Sequence, residues 1–274
     1  MNDNISGFFF AKLLIAICVW TTYTIIDAEP LEGDRVKYAK IYDQNFVVAL
    51  ARINSDKSRV SNVFCTGALI SPALILTNEH CIRKKAPENV VAYIGSVILN
   101  EALEYSICKW KSYHDWRNNE QLITPADYGL HDLAIAKLCI NVDPSVSRPG
   151  LFSWIKYNQV EKSSFTMIGW GTVESGFSSE FMREAKVKMY DQEKCVRITN
   201  MRSTANHKFF CTSATPAVLA GDGDSGGPLL DSDMKIVGVT SATWVIPRSI
   251  KDSLNLHANV TYYKDFITSM ISEY

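Results

Sequence analysis

The stretch Gly221-Asp222-Gly223-Asp224-Ser225-Gly226-Gly227-Pro228 constrains this chain more than any other. It sets one serine among glycines, well downstream of Thr77-Asn78-Glu79-His80-Cys81 and of His131-Asp132-Leu133-Ala134-Ile135. A serine hydroxyl is a poor nucleophile at neutral pH. It needs a base beside it, and the base needs a carboxylate to orient it. A fold that uses these residues must bring three distant segments, in the order His, Asp, Ser, within hydrogen-bonding reach.

Between those segments, short apolar runs alternate with turn-rich stretches. Phe46–Leu50, Gly67–Ile70, Leu74–Leu76, Val90–Ile94, Leu133–Ala136, Phe165–Ile168 and Lys235–Val239 read as strands. Helical spacing is scarce until the end, where Tyr263, Phe266, Ile267, Met270 and Ile271 give one amphipathic helix. No internal repeat or low-complexity tract is visible. Many short strands and one terminal helix point to β-barrels or a sandwich. With 274 residues, 47% of them hydrophobic, the chain can bury one large all-β core or two small ones.

Lys and Arg number 28 against 29 Asp and Glu, a net charge of -1 with no long charge run. That argues against a nucleic-acid or anionic-membrane surface, so a partner is to be sought in a cleft. Residues 1–28 stand apart. Gly7–Ala11 and Leu13–Trp20 form an apolar run broken only by Lys12, which fits a secretory signal peptide ending near Ala28. The alternative is a membrane anchor, but Lys12 and Thr21-Thr22 leave the run short of the ~20 residues needed to span. With the signal removed, no membrane association is expected, and the location is secreted and extracellular. If Cys18 leaves with the signal, Cys65, Cys81, Cys108, Cys139, Cys195 and Cys211 remain. An even count in a secreted chain points to disulfides, and the absence of a CxxC spacing argues against zinc.

His80, Asp132 and Ser225 in these settings resemble the trypsin-like (chymotrypsin-type) serine endopeptidases. The resemblance covers nearly everything after Asp43. Phe64-Cys65-Thr66-Gly67-Ala68-Leu69-Ile70 is similar to the strand before the family's histidine, and Gly169-Trp170-Gly171 to its mid-chain turn. Tyr262–Tyr274 is similar to its terminal helix. The implied fold is all-β: two packed six-stranded Greek-key antiparallel β-barrels with a C-terminal α-helix and the active site between them. The implied organisation is a protease domain over 36–274 behind a short activation segment at 29–35.

By the same resemblance, Ser225 is the nucleophile of a peptide-hydrolysing acyl-enzyme mechanism. His80 is the general base and then the general acid, Asp132 orients it, and the N–H groups of Gly223 and Ser225 form the oxyanion hole. Leu219 lies at the base of the substrate pocket, with Ala220, Ser241 and Thr243 along its walls and Asp222 near its mouth. An apolar base favours an uncharged residue before the cleaved bond. Cleavage at Arg35–Val36 would free an ammonium group at Val36 to pair with Asp224, although Val36-Lys37-Tyr38-Ala39 lacks the family's two glycines. Implied bridges are Cys65–Cys81 and Cys195–Cys211. Cys108 and Cys139 are left, read as a pair between neighbouring strands with free thiols as the alternative. The family's bridge beside the pocket is missing, since Gly221 stands where a cysteine is expected.

The expected partners are a protein or peptide substrate and protease inhibitors, and the chain is read as a monomer. No cofactor or metal is expected, because the family's calcium loop is shortened between Gly95 and His114. Asn78-Glu79 replace a small pair before the histidine; a carboxylate there would raise imidazole basicity or crowd Asp132, and the sequence does not choose. His114 reads as structural, His207 as a surface residue and His257 as a strand residue, while nothing assigns a role to His131. Asn259-Val260-Thr261 is a glycosylation sequon. A Gly-x-Ser-x-Gly elbow of an α/β-hydrolase is a rival for Ser225, but it needs a helix after the serine. Here Pro228-Leu229-Leu230 leads into a strand-like run, with a single histidine, His257, downstream and too little chain left to complete such a sheet. The rival function is a catalytically inactive or zymogen-like homologue acting as a binding or regulatory protein. The altered start and Asn78-Glu79 favour it; the intact His80, Asp132, Ser225 and Gly223 favour the enzyme.

Overall fold

The computed structural model describes residues 36–39, 44–53, 59–118, 131–155, 163–172, 178–200, 207–246, 249 and 252–274. The expected signal peptide, the 29–35 segment and Arg35 lie outside the described residues.

A short strand, β1 (Val36–Tyr38), precedes two barrels. The first is built from β2 (Val47–Arg52), β3 (Val63–Ser71), β4 (Leu74–Thr77), β5 (Val90–Ile94), β6 (Leu103–Ser112) and β7 (Ala134–Leu138). They close antiparallel in the order β2-β3-β4-β7-β6-β5. The second uses β8 (Ser164–Gly169), β9 (Arg183–Met189), β10 (Phe209–Ser213), β11 (Pro228–Leu230), β12 (Ile236–Trp244) and β13 (Leu254–Asn259). Its order is β9-β10-β13-β12-β11-β8, closed by β8 on β9, with β1 added outside β9. The two barrels thus repeat one path. Three hairpin-connected strands are followed by a fourth that returns beside the first, which is a Greek key. No matching repeat is visible in the sequence, because barrel topology needs only alternation and turns.

The strands expected from apolar runs correspond to β2, β3, β4, β5, β7, β8 and β12. The runs single out strands covered on both faces, such as β5, whose five residues are all buried. β6 and β9 were not expected. Each alternates, burying Tyr105 and Ile107, or Ala185, Val187 and Met189, while Glu104, Lys186 and Lys188 face water. That is the period of a half-solvated antiparallel strand.

Among the described residues, five α-helices accompany the strands: α1 (Arg59–Asn62), α2 (Glu79–Ile82), α3 (Tyr113–Asn118), α4 (Gln192–Thr199) and α5 (Lys264–Glu273). α5 is the expected terminal helix. It buries Phe266, Ile267 and Met270, and Phe266 packs on Tyr113 and Trp116 of α3. The last element of the second half is thereby cemented to the first barrel. α4, polar in sequence, is fixed at its ends: Asp191 caps Lys194 N–H at 2.8 Å and Asn200 closes it with φ 51°.

All three bridges form: Cys65–Cys81, Cys108–Cys139 and Cys195–Cys211. The Cys108–Cys139 alternative of free thiols is removed. A loop of about 15 residues, as in the first and third, is worth about 3 kcal/mol in the chain-entropy model. No helix of the described residues is long and apolar enough to cross a membrane.

Candidate active site

The pairing of β4 with β7 in the register Thr77↔Ala134 sets the residues after Thr77 beside those before Ala134. His80, on α2, and Asp132 therefore meet although they are far apart in sequence. His80 Nδ1 lies 2.7 Å from Asp132 Oδ2, and the His80 backbone N–H donates to Oδ1 at 2.9 Å. The buried Asn78 side chain donates to the Asp132 carbonyl at 2.9 Å, clamping the same loop. From the second barrel, Ser241 Oγ donates to Asp132 Oδ2 at 2.5 Å. Burial pushes the Asp132 carboxyl up, but His80 and Ser241 together outweigh it and hold it below the usual carboxylate value. The carboxylate stays ionised and fixes the imidazole.

Glu79 is paired with another residue, although its carboxylate feels the Asp132 charge. Its carboxylate lies 3.1 Å from Arg83 on the next helical turn. Burial raises its pKa despite Arg83. Of the two neighbours that replace the small pair, Asn78 is the one bonded to Asp132.

Ser225 sits in the turn before β11 and is partly exposed. Thr66 of β3 bolts this turn to the first barrel. Its N–H donates to Ser225 O at 2.8 Å, and its hydroxyl donates to Gly223 O at 2.7 Å. Gly223 has φ +94°, a region that favours glycine. Among the described residues, neither Gly223 N–H nor Ser225 N–H donates to a protein acceptor, whereas Asp224 N–H between them donates to Gly221 O. Two unengaged donors of this kind can receive an oxyanion. His80 Nε2 lies 3.8 Å from Cys81 Sγ, and Cys81 Sγ lies 3.7 Å from Ser225 O. Among the described residues, no hydrogen bond joins the Ser225 hydroxyl to His80.

Asp224 is 1% exposed. Its carboxylate accepts from Gly171 N–H at 2.8 Å and Gly221 N–H at 3.0 Å. A Cβ at Gly169 or Gly171 would strike it. Burial pushes its pKa up to about 7, against the opposing pull of those two amides and of Arg183. Val36 is held in β1, opposite Ala185 of β9, and packs on the second barrel's core.

Leu219 and Ala220 are buried, and Asp222 is exposed. The fully buried Asn255 side chain grips this segment. Its oxygen accepts from Ala220 N–H at 2.7 Å and its nitrogen donates to Val218 O at 2.8 Å. Thr243 Oγ1 donates to Ala220 O at 2.7 Å. Thr243 thus holds the Ala220 carbonyl, while the Ser241 hydroxyl is spent on Asp132. Neither Asn255 nor Thr66 was singled out by sequence, since nothing local marks them.

His131, before Asp132, is buried between Tyr113 and Tyr262, with ring centroids at 4.6 and 5.9 Å. The buried Lys208 ammonium lies 3.1 Å from its Nε2. His257 lies in β13 between Thr212 and Thr240 hydroxyls, and burial pushes its pKa down to about 3. His114 lies in α3, and His207 is exposed. Asn259 of the sequon donates its side-chain amide to His207 O at 3.0 Å. Among the described residues, the one close set of three possible metal-binding groups is Cys65, His80 and Cys81, and its sulfurs are spent in a disulfide.

The family model described as Trypsin matches residues 35–267. Coagulation factor XII of Bos taurus is 29% identical over 181 residues, 62% of this chain and 29% of that protein. The chain thus spans less than a third of that relative's length. Trypsin eta of Drosophila melanogaster is 27% identical over 243 residues, 85% of this chain and 86% of the relative. Among solved structures, neuropsin, a serine protease expressed in the limbic system of mouse brain, superposes with a TM-score of 0.68 at 21% identity. It covers 86% of this chain and 98% of its own.

Proposed function

The chain belongs to the Trypsin family, and on that premise we propose that it is a secreted serine endopeptidase working through His80, Asp132 and Ser225. The observation that carries this reading is Asp132, held ionised by His80 and Ser241 and fixing the imidazole at 2.7 Å. Ser225 Oγ attacks the peptide carbonyl while His80 Nε2 takes its proton. The oxyanion forms against Gly223 and Ser225 N–H. As the C–N bond breaks, His80 returns the proton to the departing amine, leaving an ester on Ser225. Water, deprotonated by His80, then hydrolyses the ester and restores Ser225. The substrate is a protein or peptide with an uncharged residue over Leu219, and the working unit is a monomer open to protease inhibitors. Three disulfides and the apolar leader support an extracellular location.

The reading includes activation by a cut at Arg35–Val36, after which the Val36 ammonium leaves β1 and pairs with Asp224. Support comes from Asp224 itself, a buried carboxyl raised to about 7 with backbone amides for partners. The rival, a homologue that binds without turnover, draws on the missing Ser225–His80 hydrogen bond. A fluorophosphonate probe separates the two. Labelling of processed protein that disappears in Ser225→Ala supports the enzyme, and no labelling after processing supports the rival. Sequencing the mature N-terminus tests the cut.

A further inference from the structure

On the rim beside His80, two cations share one aromatic ring. The register of β2 against β3 slips between Leu50↔Cys65 and Ala51↔Val63, so Phe64 is the extra residue of a bulge. Bulges re-aim side chains. The Arg52 guanidinium carbon lies 5.8 Å from the Phe64 ring centre and the Lys85 ammonium 4.4 Å from it. Lys84, with φ +61°, turns the chain after α2, and the Lys85 ammonium donates to Cys81 O at 2.7 Å. Among the described residues, no carboxylate lies within ion-pair distance of Arg52 or Lys85, and Glu79 is taken by Arg83. Burial, then Arg52, lowers the pKa of Lys85. Two like charges on one ring invite an anion.

The position of this rim follows from the Cys65–Cys81 bridge. Phe64 precedes Cys65, and Lys85 is bonded to the carbonyl of Cys81, whose sulfur lies 3.8 Å from His80 Nε2. Nε2 is the atom that hands a proton to the departing amine. Residues following the cleaved bond therefore leave over the bridge and towards Phe64. We propose that Arg52, Lys85 and Phe64 select peptide substrates carrying an acidic side chain shortly after the cleaved bond. This rests on the endopeptidase reading above and adds the substrate class on the leaving side.

The test uses the chain processed at Arg35–Val36 and quenched peptides identical except for Asp, Ala or Lys at each of the first three positions after the cleaved bond. At one position, kcat/KM for Asp should exceed that for Ala by about tenfold, as two partly solvated ion pairs allow. The ratio should shrink as salt rises. Arg52→Glu and the Arg52→Glu/Lys85→Glu double variant should invert it towards Lys; the single variant keeps the test valid should the double fail to fold. Equal cleavage of Asp and Ala peptides, or a preference that survives charge reversal, overturns the proposal. Binding separates it from catalysis. Ser225→Ala should bind a fluorescein-labelled Asp peptide several-fold tighter than its Ala counterpart by anisotropy, and equal binding overturns the rim even without turnover. Failure of the unsubstituted chain to take the fluorophosphonate overturns the endopeptidase reading instead.

Discussion

Ser241 donates its hydroxyl to Asp132 Oδ2 at 2.5 Å, on the same oxygen that holds His80 Nδ1 at 2.7 Å. The serine comes from β12 of the second barrel and the carboxylate from the first, so barrel packing itself tunes the acid–base pair. A hydrogen bond to a charged group is worth about 1.5–3 kcal/mol, and part of that is felt as the imidazolium forms. Ser241→Ala should lower kcat by about tenfold with little change in KM, measured on a peptide substrate. Asp132→Asn, which spoils the tautomer, should cost about 10⁴-fold.

Asp224 predicts a pH dependence. Burial raises it from 3.8 to about 7, so between those values the folded chain holds a proton that the unfolded chain has released. Its contribution to stability is complete below its unfolded value and is lost as pH rises through its folded value. Denaturant unfolding of the intact chain should show a loss of no more than about 4 kcal/mol across this window. Asp224→Asn should flatten the profile. If Val36 supplies an ammonium, the cut chain should hold its stability over the same range.

Gly226 has φ +86°, and an added Cβ would meet the Thr66 carbonyl oxygen and the Thr77 hydroxyl. The carbonyl is backbone in a closed barrel and cannot give way cheaply. Gly226→Ala should therefore destabilise the fold by more than about 3 kcal/mol, read as a large drop in melting temperature or a loss of soluble protein.

His131 anchors the loop that presents Asp132, through its stack on Tyr113 and Tyr262 and its contact with Lys208. His131→Ala should cost about 2–4 kcal/mol in stability and reduce kcat more than it raises KM. His131→Phe keeps the stack but loses the Lys208 contact, and should fall between the two. Equal kinetics in all three proteins would remove His131 from any positioning role.

The candidate site was legible where chemistry needs a rare residue in a marked setting. His80, Asp132 and Ser225 each sit in a motif, and glycine at 223 is demanded by its backbone. Thr66, Ser241 and Asn255 were not legible in these roles, because Thr, Ser and Asn are common and their tasks exist only once β3, β12 and β13 face the loops they grip. Strands such as β2 and β5 could be read from unbroken apolar runs. β6 and β9 could not, because Glu104, Lys186 and Lys188 dilute the run without disturbing the period.

The sequence by itself determined the inventory: a barrel-forming alternation of short runs, six cysteines after residue 28, and the family of the chain. Only the tertiary structure decided where charges end up. It put Glu79 on Arg83, buried Asp224 between two backbone amides, and set Arg52 and Lys85 over one ring with no carboxylate in ion-pair distance among the described residues. The physical reason is that electrostatics depends on distance and burial, and neither is written along the chain until the strands have closed.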